Sequence, residues 1–111
     1  MNNRPVGIFD SGVGGLTVVK EVFKALPNER VVYLGDTARV PYGTKSDRTI
    51  RRFSIENADF LMRFGVKVIV VACNTSSSIA LSVLRKRFRI PIIGVIEPGA
   101  KKAVKLTGIT G

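Results

Sequence analysis

An α/β fold on an open, mostly parallel sheet with helices on both faces is what this 111-residue sequence predicts, and three observations carry the reading. Short β-branched runs alternate with stretches of helical period in the order βαβαβαβα, which calls for parallel strands joined by right-handed crossovers. The run Val66-Lys67-Val68-Ile69-Val70-Val71-Ala72 is apolar at nearly every position, as a strand buried on both faces needs to be. The strand-like runs give way at their carboxyl ends to small polar or acidic residues, at Asp10-Ser11, Asp36, Cys73-Asn74-Thr75 and Glu97. Ligands of open parallel sheets bind outside those ends, so four separate stretches meet on one rim.

Taken in order, Val6-Gly7-Ile8-Phe9 is a first strand that breaks into Asp10-Ser11-Gly12-Val13-Gly14-Gly15. A helical pattern follows through Leu16, Val19, Val22, Phe23 and Leu26, and Pro27-Asn28 closes it. Val31-Val32-Tyr33-Leu34 is the second strand, ending at Gly35-Asp36. The stretch Thr37 to Thr44 has neither period and reads as a functional loop. Ser46 can cap a long helix that places Ile50, Phe53, Asn57, Leu61 and Phe64 on one face, with Gly65 where a left-handed residue is wanted. After the central strand a single helix is predicted through Ile79, Leu81, Val83, Leu84 and Phe88, with Asn74, Thr75 and Ser76 as N-cap candidates. Ile90 to Ile96 is a fourth strand, with Pro91 tolerable near its start, and a last helix starts near Ala100.

Composition narrows the chemistry. The length suits one domain with a single core, small for an α/β enzyme. No apolar run is long enough to span a bilayer and no signal peptide opens the chain, so a soluble cytoplasmic protein with no membrane partner is expected. A single cysteine excludes an internal disulfide, and the absence of histidine excludes a Cys-His dyad, a Ser-His-Asp triad and the usual zinc sites within this chain. The net charge of +10 suits nucleic acid or an acidic small substrate. The cations, however, fall on helix ends and solvated faces: Arg48, Arg51 and Arg52 on one helix, and Arg85, Lys86, Arg87 and Arg89 closing another. No specific nucleic-acid partner is expected on that pattern.

Cys73 has two readings from its own segment. It is a small buried hydrophobe, or it is a thiolate candidate at a strand end beside helix N–H groups that favour an anion. Gly12-Val13-Gly14-Gly15 lacks the third glycine of a dinucleotide fingerprint, since Thr17 stands there, and the preceding Asp10 would repel a pyrophosphate. Taken singly, Asp36 reads as a cap, Tyr42 as a packing aromatic in a Pro-Tyr-Gly turn, and Glu97 as a partner of the last helix.

Together these segments say more. Asp10-Ser11-Gly12-Val13-Gly14-Gly15-Leu16-Thr17, then Asp36-Thr37-Ala38-Arg39-Val40-Pro41-Tyr42-Gly43, then Ala72-Cys73-Asn74-Thr75 and Gly94 to Gly99 follow one another on successive βα units. Their sequence and order closely resemble the bacterial glutamate racemases, nearly from end to end of the chain. The resemblance implies a cofactor-independent isomerase that interconverts L- and D-glutamate for peptidoglycan and cell-wall synthesis. It implies a protein of two pseudo-symmetric α/β domains, of which residues 1–111 are a fragment of the N-terminal one, and a homodimer is expected for the full-length enzyme. By motif Cys73 matches the first acid/base cysteine and Asp10 the assisting aspartate, while Ser11, Tyr42, Gly43, Asn74 and Thr75, with Asp10, match substrate-binding residues. The family's second cysteine, in a downstream Cys-Thr-His segment, has no counterpart here.

Chemistry agrees with that division. Racemisation without a cofactor removes the α-hydrogen from one face of the carbon and returns a proton on the other, so one thiol serves one face. Asn74, Thr75 and neighbouring N–H groups suit a carboxylate. A carboxylate at Asp10 opposes a neighbouring thiolate unless the substrate ammonium lies between them. A racemase of another acidic amino acid, a phosphate-binding α/β module and a basic nucleic-acid-binding domain are the competing readings. Without the later strands of the first domain, an exposed sheet edge or apolar face, and hence self-association, is expected.

Overall fold

The structure, a computed structural model, describes residues 3–12, 15–95 and 102. Four strands, β1 (Val6–Asp10), β2 (Val31–Gly35), β3 (Val68–Val71) and β4 (Ile92–Gly94), form one parallel sheet in the order β2-β1-β3-β4. The register pairs Val6 with both Val31 and Val68, and Val71 with Gly94, so the carboxyl ends of all four strands share one rim. The α/β reading and the parallel sheet are therefore as the alternating sequence pattern predicts.

Helices α1 (Gly15–Ala25), α2 (Asp47–Met62), α3 (Asn74–Ile79) and α4 (Leu81–Arg87) cover the two faces. Successive side chains of a strand point to opposite faces, and the core divides accordingly. Val6, Ile8, Val68 and Val70 pack with Val19, Val22 and Leu26 of the α1 segment. Phe9, Ile69 and Val71 pack with Ala58 and Leu61 of α2 and Leu84 of α4. Every residue of β1 and β3 is buried, which is why their sequences are continuous rather than alternating. Gly7 is small for a packing reason: a Cβ there would lie 3.0 Å from Val66 Cγ1 and 3.3 Å from Leu61 Cδ1.

The helix signals hold where the physics is local. Ser46 caps α2 by accepting the Thr49 N–H, and Gly65 adopts φ +68° after the helix. Phe64 departs from expectation: α2 ends at Met62, so Phe64 falls off the helical period, half exposed, with its ring edge against Phe60. The single helix predicted after Cys73 is two, separated at Ala80. The serine-rich α3 buries Ser76 and Ser77, whereas α4 buries Leu84, and the break lets each present its own face. The N-cap is Cys73 itself, still extended at φ −85° and ψ 124°, with Sγ accepting the Ser76 N–H at 3.5 Å; Asn74, Thr75 and Ser76 already lie inside the helix. The fourth strand is shorter than expected, beginning at Ile92 after Pro91.

Lys67, hidden in the apolar run, is buried at the amino end of β3 and pairs with Glu29 at 2.7 Å. Strand β2 is an edge among the described residues, and Phe23, Tyr33, Phe60 and Phe64 are the exposed large apolar side chains there described. Among the described residues no helix is long and apolar enough to cross a membrane. Glu97 and the helix expected from Ala100 lie outside the described residues.

Candidate active site

The carboxyl rim is built by three adjacent strands. Beyond the paired Phe9 and Val71, the Ala72 N–H donates to the Phe9 carbonyl at 2.9 Å, and the Asp36 N–H donates to the Asp10 carbonyl at 3.0 Å. Asp10, Asp36 and Cys73 thus leave neighbouring strands within two residues of a common register, and Ser11 lies between them in chain position. Parallel strands are about 4.8 Å apart, so these groups belong to one small area of the rim.

Asp10 is fully buried. Its Oδ1 accepts the Gly12 N–H at 2.7 Å, which folds the chain into a tight turn after the strand. Gly12 has φ +90°, and a Cβ on it would lie 2.4 Å from Thr37 Cγ2, so glycine is required there for both conformation and space. The Tyr33 hydroxyl donates to Asp10 at 2.8 Å from Oδ1 and 2.9 Å from Oδ2. Burial first, then the hydrogen bond to Asp10 and its charge, push the Tyr33 phenol up to about 12.

Asp36 lies in a denser network on the α2 side. Arg39 Nε donates to both of its oxygens at 3.1 and 2.8 Å, Asn57 Nδ2 donates at 3.2 Å, and the Tyr42 hydroxyl donates to Oδ2. Burial alone would raise the Asp36 carboxyl, but the hydrogen bonds from Arg39, Tyr42 and Asn57, with the guanidinium charge, hold it below the usual carboxylate range. Burial and the Asp36 carboxylate push the Tyr42 phenol above its ordinary value. Asn57 also donates to the Tyr42 oxygen at 2.9 Å, and Arg39 pairs with Glu56 and lies 3.9 Å over the Phe53 ring. The loop from Thr37 to Thr44 is thereby ordered as two 3-10 turns, Thr37–Arg39 and Tyr42–Thr44, pinned to α2.

Cys73 packs in a small cluster with Tyr42, Ile50 and Phe53 and is 7% exposed. Behind it, the Ser54 hydroxyl donates to the Ile50 carbonyl at 2.7 Å and is hydrogen-bonded to the Ser76 hydroxyl at 3.0 Å, tying α3 to α2. Asn74 is exposed and Thr75 partly so, while Ser11 is buried at the margin. Gly43 is exposed, and a Cβ on it would meet nothing within 4 Å.

The structure therefore brings Asp10, Ser11, Cys73, Asn74 and Thr75 to the strand-end rim, and joins Tyr42 to Cys73 by packing. No hydrogen bond joins Asp10 to Cys73 among the described residues. Tyr42 differs from a simple binding residue, because its hydroxyl is committed to Asp36 and Asn57. Two partners escaped the sequence reading of the site. Asn57 carried a signal, a polar side chain on an otherwise apolar helix face, which must be hydrogen-bonded when buried. Tyr33 carried none, since an aromatic residue is ordinary in a strand.

Against known proteins, the model of the Asp/Glu/Hydantoin racemase family matches residues 8–111. The glutamate racemase of Geobacter metallireducens is 59% identical over 104 residues, covering 94% of this chain and 38% of that protein. The crystal structure of glutamate racemase from Thermus thermophilus in complex with β-chloro-D-alanine superposes with a TM-score of 0.83 at 56% identity, covering 91% of this chain and 40% of that one. The Francisella tularensis glutamate racemase in complex with D-glutamate gives a TM-score of 0.81 at 52% identity, over 86% of this chain and 37% of that one. The chain thus spans about 40% of the length of the relatives it matches.

Proposed function

This chain belongs to the Asp/Glu/Hydantoin racemase family, and on that premise we propose that it carries one half of the active site of a glutamate racemase. The observation that carries the reading is the position of the chain's one thiol, at the carboxyl end of an interior parallel strand, on the same rim as the buried Asp10. The glutamate racemase names of the relatives, and the D-glutamate bound to one of them, support glutamate as substrate. The α/β frame and an enzyme built on two opposed halves agree with the share of those relatives that this chain spans.

In this reading Cys73, as thiolate, takes the α-hydrogen from one face of glutamate, or as thiol returns a proton to it. Asp10 pairs the substrate ammonium or relays the Cys73 proton. Ser11, Asn74, Thr75 and the Tyr42-Gly43 turn hold the carboxylates, with the committed Tyr42 hydroxyl fixing the turn and the open Gly43 leaving room for the ligand. The opposite face needs a second acid/base group, and the 111 residues contain neither another cysteine nor a histidine. That group belongs to a further segment of the enzyme, in a second domain. No cofactor enters this chemistry. The D-glutamate formed supplies peptidoglycan synthesis in the cytoplasm, and the enzyme works as a homodimer.

The test is to follow L-glutamate in deuterated water by α-proton NMR and optical rotation. The full reading frame should racemise glutamate, and Cys73→Ser should abolish turnover while leaving the fold intact, because oxygen replaces sulfur at a strand end. A serine variant with unchanged turnover would sink the assignment of Cys73. The 111-residue chain alone should leave the rotation constant.

A further inference from the structure

We infer that Tyr33 is a positioning residue for Asp10, its hydroxyl holding the carboxylate in a single orientation at the strand-end rim; the inference rests on the racemase reading of Cys73 and Asp10. Tyr33 and Asp10 occupy neighbouring strands, with Tyr33 opposite Ile8 and Asp10 opposite Gly35. Both point to the α1 side of the sheet by the two-residue alternation from Ile8. The tyrosine therefore reaches diagonally across the sheet, and its oxygen sits nearly equidistant from the two carboxylate oxygens, at 2.8 and 2.9 Å.

Three features separate this from incidental packing. Tyr33 is 37% exposed, so its ring is not a core residue, whereas Asp10, which its hydroxyl reaches, is 0% exposed. The Gly12 N–H approaches Oδ1 from the turn and the phenol approaches both oxygens from β2, so two donors from different elements fix the carboxylate. Gly35 leaves the space the phenol uses: a Cβ there would lie 3.0 Å from the Tyr33 hydroxyl oxygen and 3.5 Å from Asp10 Oδ1. The phenol also stays protonated through the neutral range, since it is pushed up to about 12, and so it is a donor whenever the enzyme works. A carboxylate that must meet a substrate ammonium or the Cys73 proton gains from such restraint, because small errors of placement are costly at the reacting atom.

The experiment uses the full reading frame with four variants, Tyr33→Phe, Gly35→Ala, Asp10→Asn and Tyr33→Phe combined with Asp10→Asn, measured for kcat and KM in both directions and for thermal unfolding. Loss of one hydrogen bond to a charged group should lower kcat about ten- to hundredfold in Tyr33→Phe, with KM within about threefold and little change in melting. Gly35→Ala, which displaces the hydroxyl without removing it, should lower kcat in the same way. In the Asp10→Asn background Tyr33→Phe should cost less than about twofold more, since its effect passes through Asp10. Parental kcat in Tyr33→Phe would overturn the inference, as would an equal loss from Tyr33→Phe with Asp10 already replaced. Cys73→Ser is measured alongside: parental turnover there overturns the racemase reading and the inference with it, whereas an inactive serine variant beside a fully active Tyr33→Phe overturns the inference alone.

Discussion

Asp10 and Asp36 stand one residue out of register on adjacent strands, and each accepts a hydrogen bond from a tyrosine hydroxyl, yet their surroundings set them to different work. Asp36 is surrounded by donors, one of them the guanidinium of Arg39, and both of its oxygens are taken. Asp10 accepts from a backbone N–H and a phenol, and among the described residues it pairs with no cation. A carboxylate with its charge balanced internally is a structural post, holding the loop from Thr37 to Thr44 against α2. A carboxylate whose charge is unbalanced by the protein has use for a cation from outside, and the ammonium of an amino acid is one. The two aspartates look alike in sequence, each ending a strand; the difference lies in what the next elements bring to them.

The comparison is broken most directly by exchanging each carboxylate for its amide in the full reading frame. Asp10→Asn should lower racemisation about hundredfold or more while changing the denaturant midpoint little, as loss of an acid/base or ammonium-pairing group does. Asp36→Asn should do the reverse, keeping most turnover and losing stability. Equal losses of turnover in the two variants would show that the rim does not divide in this way.

A harsher truncation should separate them in stability. Asp36→Ala removes the partner of Arg39, Tyr42 and Asn57 together, and leaves a buried phenol in want of an acceptor, while the Asn57 amide keeps only its bond to the Tyr42 oxygen. An unfolding free energy lower by about 2–3 kcal/mol is expected, at the low end for a broken ion pair because Arg39 keeps Glu56 and some solvent. Urea denaturation at neutral pH measures it, and a change under about 0.5 kcal/mol, the level of an ordinary surface substitution, would demote the network to decoration.

Acid should reproduce part of that loss without mutation. The Asp36 carboxyl is held below its ordinary value in the folded protein, so the stability it contributes is fully present above the unfolded value of about 3.9. That contribution falls away as pH drops below this point and through the lower folded value. Denaturant midpoints taken downward from pH 6 should therefore fall less steeply in Asp36→Asn than in the parent at the acid end. Parallel curves would mean that Asp36 is not the linked group.

How much of this the sequence carried depends on the range of the interactions. The strand ends at Asp10, Asp36 and Cys73, the Ser46 cap and the Gly65 stop follow from local pattern, and the parallel order follows from alternation. Tertiary contacts decided the rest. The break at Ala80 reflects two helices packing different faces, a choice the period of Leu81 and Leu84 alone does not reveal. Lys67 reads as an interruption of an apolar strand until Glu29, 38 residues away in sequence, is seen beside it. The site divides in the same way: Asp10 and Cys73 stand out by position and motif, whereas Tyr33 and Asn57 act through partners 23 and 21 residues away. Such pairs are set by strand register and helix docking, which no local window contains.

The smallest effect, and the one that reports each side of the comparison separately, is the titration of the phenols. Tyr33 and Tyr42 are the two tyrosines of the chain and it has no tryptophan, so ultraviolet tyrosinate absorbance of the 111-residue chain reads them without interference. A free phenol ionises near 10. Both should ionise later while the chain is folded, Tyr33 at about 12, and the more deeply buried Tyr42 after it. A phenol raised in the folded state contributes stability that is complete below about 10 and is lost as pH climbs through the raised value, so unfolding should become easier between about 10 and 12. Tyr33→Phe should remove the earlier step and leave the later one. Asp10→Asn should move the Tyr33 step down toward the free value but not all the way, because burial is the larger cause and the aspartate the lesser. Asp36→Asn should move the Tyr42 step alone. If Tyr33 ionised near 10 in the folded parent, its hydroxyl would not be bound to Asp10, and the division of the rim into a balanced and an unbalanced carboxylate would lose its spectroscopic support.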